Sequence, residues 1–123
     1  MTKTIMGLDT AKRLAADGHH LLLHGRSEAK LEALSKTIAM VPGAAAIETY
    51  RADLSSMHDV IAMADAVTAK HDKLDVLINN AGVFETPHPI TSTGDDIRFV
   101  VNTVAPYLLT QKLLPLMPSD SRI

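Results

Sequence analysis

The sequence predicts a doubly wound α/β domain, a parallel sheet with helices on both faces, and three observations carry that reading. Leu74-Asp75-Val76-Leu77-Ile78 is an apolar run that ends abruptly in Asn79-Asn80-Ala81-Gly82. Val76, Leu77 and Ile78 read as a strand buried on both faces, as in parallel sheets covered by helices. Short apolar runs alternate with stretches of helical periodicity along the whole chain, which implies right-handed crossovers between parallel strands. No repeat or low-complexity linker divides the 123 residues, so residues 1–123 read as one domain. A chain of this length, 46% hydrophobic, can bury a core. It is small for an enzyme on such a sheet, so the sheet is expected to be incomplete.

Thr2-Lys3-Thr4-Ile5-Met6 is partly β-branched and suits a first strand. Leu8, Ala11, Leu14 and Ala15 then recur at helical spacing, with Gly18 as the stop. Leu21-Leu22-Leu23 predicts the second strand, closing at His24-Gly25-Arg26. Ser27 is placed to cap a helix that has Glu28 in its first turn and Leu31, Leu34 and Ile38 on one face, ending at Pro42-Gly43. Ala46 to Ala52 reads as the third strand, terminated by Asp53-Leu54. Ser55 or Ser56 can cap the next helix, which buries Val60, Ala64 and Val67. After the strand ending at Asn79 comes a polar loop with Pro87 and Pro89, then a long helix from about Asp95 to Leu114 bearing Ile97, Val101, Val104 and Leu108.

Composition removes several classes of function. A formal charge of −2, from 12 Lys and Arg against 14 Asp and Glu, provides no basic field for nucleic acid. With no Cys there are no disulfides, zinc thiolates or thiol nucleophiles, and a reducing cytoplasm is the expected compartment. No apolar run approaches a membrane span, and Met1 to Gly7 lacks the basic start and apolar core of a signal peptide. The His residues show no metal-ligand spacing in sequence, so no metal site is expected, and no G-x-S-x-G elbow marks a hydrolase.

The residues that stand out gather at strand ends. Asn79 and Asn80 fall at the carboxyl end of a parallel strand, the edge where ligands bind open sheets, although the same letters also suit an Asn-rich turn. Asp53 can accept a hydrogen bond from a base amino group or simply serve a helix start. Gly82 lets backbone approach a ligand closely. Gly25-Arg26 closes the second strand, where Arg26 can grip a phosphate or else is a solvated surface cation. Pro106 has no N–H to give the carbonyl of Asn102 four residues earlier, so that acceptor is expected to be left free, or a kink to be absorbed by packing.

In order and spacing these pieces resemble the amino-terminal half of a short-chain dehydrogenase/reductase. Gly7, Ala11, Leu14, Ala15 and Gly18 resemble the helix after that family's phosphate loop, Asp53-Leu54 its adenine-binding turn, and Asn79-Asn80-Ala81-Gly82 its most diagnostic motif. Asn102 with Ala105-Pro106 resembles the helix that supplies its catalytic Asn, whose carbonyl holds a water leading to the catalytic Lys. The resemblance implies a Rossmann-like fold and cofactor contacts at Gly7, Arg26, Asp53, Leu54, Asn79, Ala81 and Gly82. It implies hydride transfer between NADP(H), rather than NAD(H), and a small carbonyl or alcohol substrate.

The chain also departs from that pattern. No G-x-G-x-x-G occurs, the stretch the family has between Met6 and Gly7 being missing, so pyrophosphate binding is expected to suffer. No Tyr-x-x-x-Lys occurs either: Tyr50 is followed four residues later by Leu54, and Tyr107 by Gln111. Ser121-Arg122-Ile123 reads as the start of a fifth strand, before the family's catalytic Ser would come. The chain is therefore expected to be a truncated domain, inactive by itself and either marginal in stability or self-associating as a homo-oligomer. Two other readings stand beside the enzyme: a non-catalytic Rossmann-type binding or interaction protein, and a receiver-type signalling domain with Asp53 as its phosphate acceptor. A receiver needs an acidic pair after its first strand to hold magnesium and a Lys after its fifth, and this chain has Met6-Gly7 and Ile123 at those places.

Overall fold

Leu21, Leu22 and Leu23 set the layering of the molecule, a computed structural model that describes residues 2–5, 8–79, 90–91 and 93–123. Successive strand side chains point to opposite faces. Leu21 and Leu23 therefore meet Ala11, Ala15, Leu31 and Ile38 on one face, while Leu22 meets Val60, Ala64, Val67, Leu77 and Leu109 on the other. Each of these leucines is almost fully buried, and truncating one to Ala would cost about 2–5 kcal/mol.

The elements run β1 (Thr2–Ile5), α1 (Leu8–Ala16), β2 (His20–Gly25), α2 (Glu28–Ala39), β3 (Ile47–Arg51), α3 (Met57–Lys70), β4 (Val76–Leu77), α4 (Ile97–Phe99), a π-helical segment (Val100–Val104) and α5 (Ala105–Leu113). The sheet has the order β3-β2-β1-β4 with all pairings parallel. Helices α1 and α2 cover one face, α3 and α5 the other, so the doubly wound architecture holds. The strand order reverses beside β1, and the carboxyl ends of β1 and β4 therefore flank a topological switch point, where such sheets bind ligands.

Local chemistry accounts for the boundaries. Gly18 takes φ 79°, a left-handed turn that stops α1, and its N–H closes on the Ala15 carbonyl. Ser27 caps α2, its hydroxyl accepting from the Lys30 N–H. Ser56, not Ser55, caps α3, its hydroxyl accepting from the Asp59 N–H. The strand expected over residues 74–78 pairs only at Val76 and Leu77, and the third strand is Ile47–Arg51 rather than residues 46–52. Leu77 and Ile78 still face opposite cores. The last residues lie beside β4: Arg122 forms a parallel bridge with Val76, its N–H donating to Asp75 O and its carbonyl accepting from Leu77 N–H.

The long helix expected from Asp95 to Leu114 is not continuous. Asp96 caps a single turn, and the helix then widens into the π segment, in which the Ala105 N–H donates to the Val100 carbonyl five residues back. Pro106 explains the widening, because its ring removes one donor and crowds the carbonyl four residues earlier. Asn102 sits within this segment and has an interaction of its own within the fold.

Candidate functional site

The carboxyl ends of β2 and β3 come together through His24 and Asp53. His24 is 8% exposed and its Nε2–H donates to the Ala52 carbonyl at 2.8 Å. Burial pushes its pKa below the usual 6.5, against the opposing pull of that carbonyl and of Asp53, so the ring is held neutral. The bond joins the two strand ends just where the chain turns outward at Gly25-Arg26 and at Asp53-Leu54.

Asp53 heads the β3–α3 turn. Its Oδ1 accepts from the Ser55 N–H at 2.9 Å and the Ser55 hydroxyl at 2.7 Å, while its own N–H donates to Asp59 Oδ2 at 2.9 Å. Partial burial pushes the carboxyl pKa up, but the Ser55 bonds and then the charges of Arg26 and Arg51 outweigh it and hold Asp53 below the usual value. Arg26 thus acts on Asp53 from the neighbouring strand end. The Leu54 side chain is packed in the core, next to Asp53 in the same turn.

Around Gly25 lies a cavity of about 230 Å³ lined by Arg26, Ser27, Lys30, Leu31 and Leu34. That is smaller than a complete ligand pocket of ~300–1,000 Å³, and two cations at its rim suit a phosphate-sized anion. Lys30 was missed in the sequence; its signal was its place one helical turn after Arg26. A Cβ on Gly25 would come within 3.2 Å of Leu31 Cδ1, so a larger residue there would crowd this hollow. A second cavity, of about 630 Å³, lies between Asp53, Ser55 and Met57 on one side and Ile90, Ile97 and Val104 on the other.

Asn79 stands exposed at the carboxyl end of β4, its amide donating to Thr110 Oγ1 at 3.5 Å, the outer limit of such a bond. Asn102 is exposed in the π segment. Gly7, Asn80, Ala81 and Gly82 lie outside the described residues. The structure therefore brings Arg26 and Asp53 together, and Asn79 and Asn102 belong to elements adjoining the same edge of the sheet.

The short chain dehydrogenase family profile matches residues 3–122. An uncharacterized oxidoreductase of Schizosaccharomyces pombe is 33% identical over 96% of this chain and 37% of its own length. Human retinol dehydrogenase 13 is 34% identical over 90% of this chain and 34% of its own. Among solved structures, a metagenomic short-chain oxidoreductase in complex with NADP is 32% identical with a TM-score of 0.76, covering 94% of this chain and 56% of that one. The chain spans about a third of the length of these curated relatives. No helix among the described residues is long and apolar enough to cross a membrane. With its profile match running nearly end to end and its sheet order that of a Rossmann half, the chain belongs to the short-chain dehydrogenase family of oxidoreductases.

Proposed function

We propose that this chain forms the cofactor-binding half of an NADP-preferring oxidoreductase acting on a small carbonyl or alcohol. The observation that carries the reading is the hollow at Gly25, which has no acid to bind a 2′-hydroxyl and has Arg26 and Lys30 at its edge. The relative whose structure holds NADP supports the same choice.

The donor set fits the adenosine end of the dinucleotide. Arg26, with Lys30, would grip the 2′-phosphate through charge-assisted bonds. Asp53, ionised and pre-set by Ser55, still has lone pairs for a base amino group, since a carboxylate offers about four acceptor positions. His24, neutral and buried, fixes the spacing of the two strand ends beneath both groups. Bound NADPH supplies the hydride; the chain's part is to hold and orient it. Asn102, on the π turn, would position a water for proton relay to groups outside these residues. A non-catalytic nucleotide-binding role is the second reading, favoured by the lack of any Tyr-x-x-x-Lys here.

Titration calorimetry of the protein with NADP⁺ and with NAD⁺ tests the proposal. Tighter binding of NADP⁺ is expected, and equal or reversed affinities would overturn the preference.

A further inference from the structure

At the opposite, amino-terminal edge of the sheet, three potential ligands converge that the oxidoreductase reading does not use. His20 opens β2, Glu48 lies at the second position of β3, and His71 caps the carboxyl end of α3. His20 Nε2 and His71 Nε2 each lie 2.8 Å from the same oxygen, Glu48 Oε2, and the ligand atoms of the three residues all fall within 4.8 Å of one another.

Two features separate this cluster from an ordinary ion pair. The His71 Nε2 atom is buried and, despite its 2.8 Å approach to Glu48, has no aligned hydrogen-bond partner. A ring nitrogen that comes close to an oxygen without pointing its hydrogen at it has the relation of two ligands that share a third centre. The other carboxylate oxygen, Oε1, is held from outside by the Tyr50 hydroxyl at 3.3 Å and faces Lys70 Nζ at 4.0 Å. Outer contacts of that kind orient a ligating carboxylate.

We propose that His20, Glu48 and His71 form a binding site for a divalent transition-metal ion of the zinc class, separate from the cofactor edge. Two imidazoles and one carboxylate are ligands such ions accept, with an open position left for water. Metal–ligand bonds of ~2.0–2.1 Å at tetrahedral angles place ligand atoms roughly 3.3 Å apart. The two 2.8 Å separations therefore need to open by about half an ångström, within reach of side chains that are 12–31% exposed. Bound there, the ion ties the starts of β2 and β3 to the end of α3, three segments with no other covalent or metal link among the described residues.

Zn²⁺ added to the chelator-treated 123-residue protein, followed by calorimetry and by ¹⁵N signals of the His rings, tests this. One equivalent is expected to bind, shifting the ring signals of His20 and His71. Glu48→Gln and His71→Ala should each weaken binding by about tenfold or more, and His19→Ala, next to the cluster, should leave it unchanged. The ring signals need no variant, so a destabilised variant does not blunt the test. No stoichiometric binding, or shifts confined to other His residues, would overturn the site.

Discussion

The two edges of the sheet are made from the same strands and differ in how their polar groups are assembled. At the carboxyl edge each group follows its strand directly: Gly25-Arg26 after β2, Asp53-Leu54 after β3, Asn79 at the end of β4. At the amino edge, His20, Glu48 and His71 meet only because β2 and β3 pair in one register, with Leu21 opposite Ile47, and α3 returns beside them. The first edge is local in sequence and the second is made by tertiary structure. Variants at the carboxyl edge should therefore move cofactor binding and chemistry, while variants at the amino edge leave both alone.

The largest expected effect is on turnover. The 123 residues contain no Tyr-x-x-x-Lys to deliver a proton, so NADPH oxidation with a panel of aldehydes and ketones should stay at the blank rate. Turnover above the blank would break the division of labour drawn here, by showing that the carboxyl edge alone suffices.

Next in size is Asn102. In a form of the protein that turns over substrate, Asn102→Ala should lower kcat on the order of tenfold, about 1.4 kcal/mol, with a smaller change in KM. Pro106→Ala restores a backbone donor and lets the π turn tighten towards an α-helix, so it should partly reproduce the kcat loss. A pure KM effect of Asn102→Ala, or full activity in Pro106→Ala, would detach the π segment from the chemistry.

The smallest effect is a pH dependence that belongs to the carboxyl edge. The folded pKa of His24 lies below its ordinary 6.5. As pH falls through that value the unfolded chain takes up a proton that the folded chain refuses, so stability declines on the acid side. Asp53, also lowered, adds a further loss as pH falls through and below its ordinary 3.8. Urea midpoints should fall as pH drops from neutral, and His24→Gln, which keeps a donor for Ala52, should flatten the first limb. A wild-type midpoint unchanged across that range would remove the neutral His24 from the account.

The contrast between edges also explains what the sequence could reveal. Leu21-Leu22-Leu23, Gly18 and Ser27 act within a few residues of themselves, and strand, stop and cap follow from their types alone. Arg26 and Asp53 were legible for the same reason, each being tied to a strand end. The π segment was not, because Pro106 states that a donor is missing but not whether the helix answers by kinking or by widening. The His20, Glu48 and His71 cluster was hidden entirely: 28 residues separate His20 from Glu48, and no spacing rule spans a parallel crossover. Lys30 was overlooked because a first-turn lysine reads as a solvated surface cation until the hollow beside Gly25 is seen.

Arg26→Ala measured against both dinucleotides is the most direct test of the central claim that the carboxyl edge selects NADP. The variant should lose about 1.5–3 kcal/mol of NADP⁺ binding, the range for hydrogen bonds to charged groups, and keep its NAD⁺ affinity nearly unchanged. Equal losses for the two cofactors would contradict the claim, because Arg26 would then be supporting the fold or the shared part of the ligand rather than the 2′-phosphate.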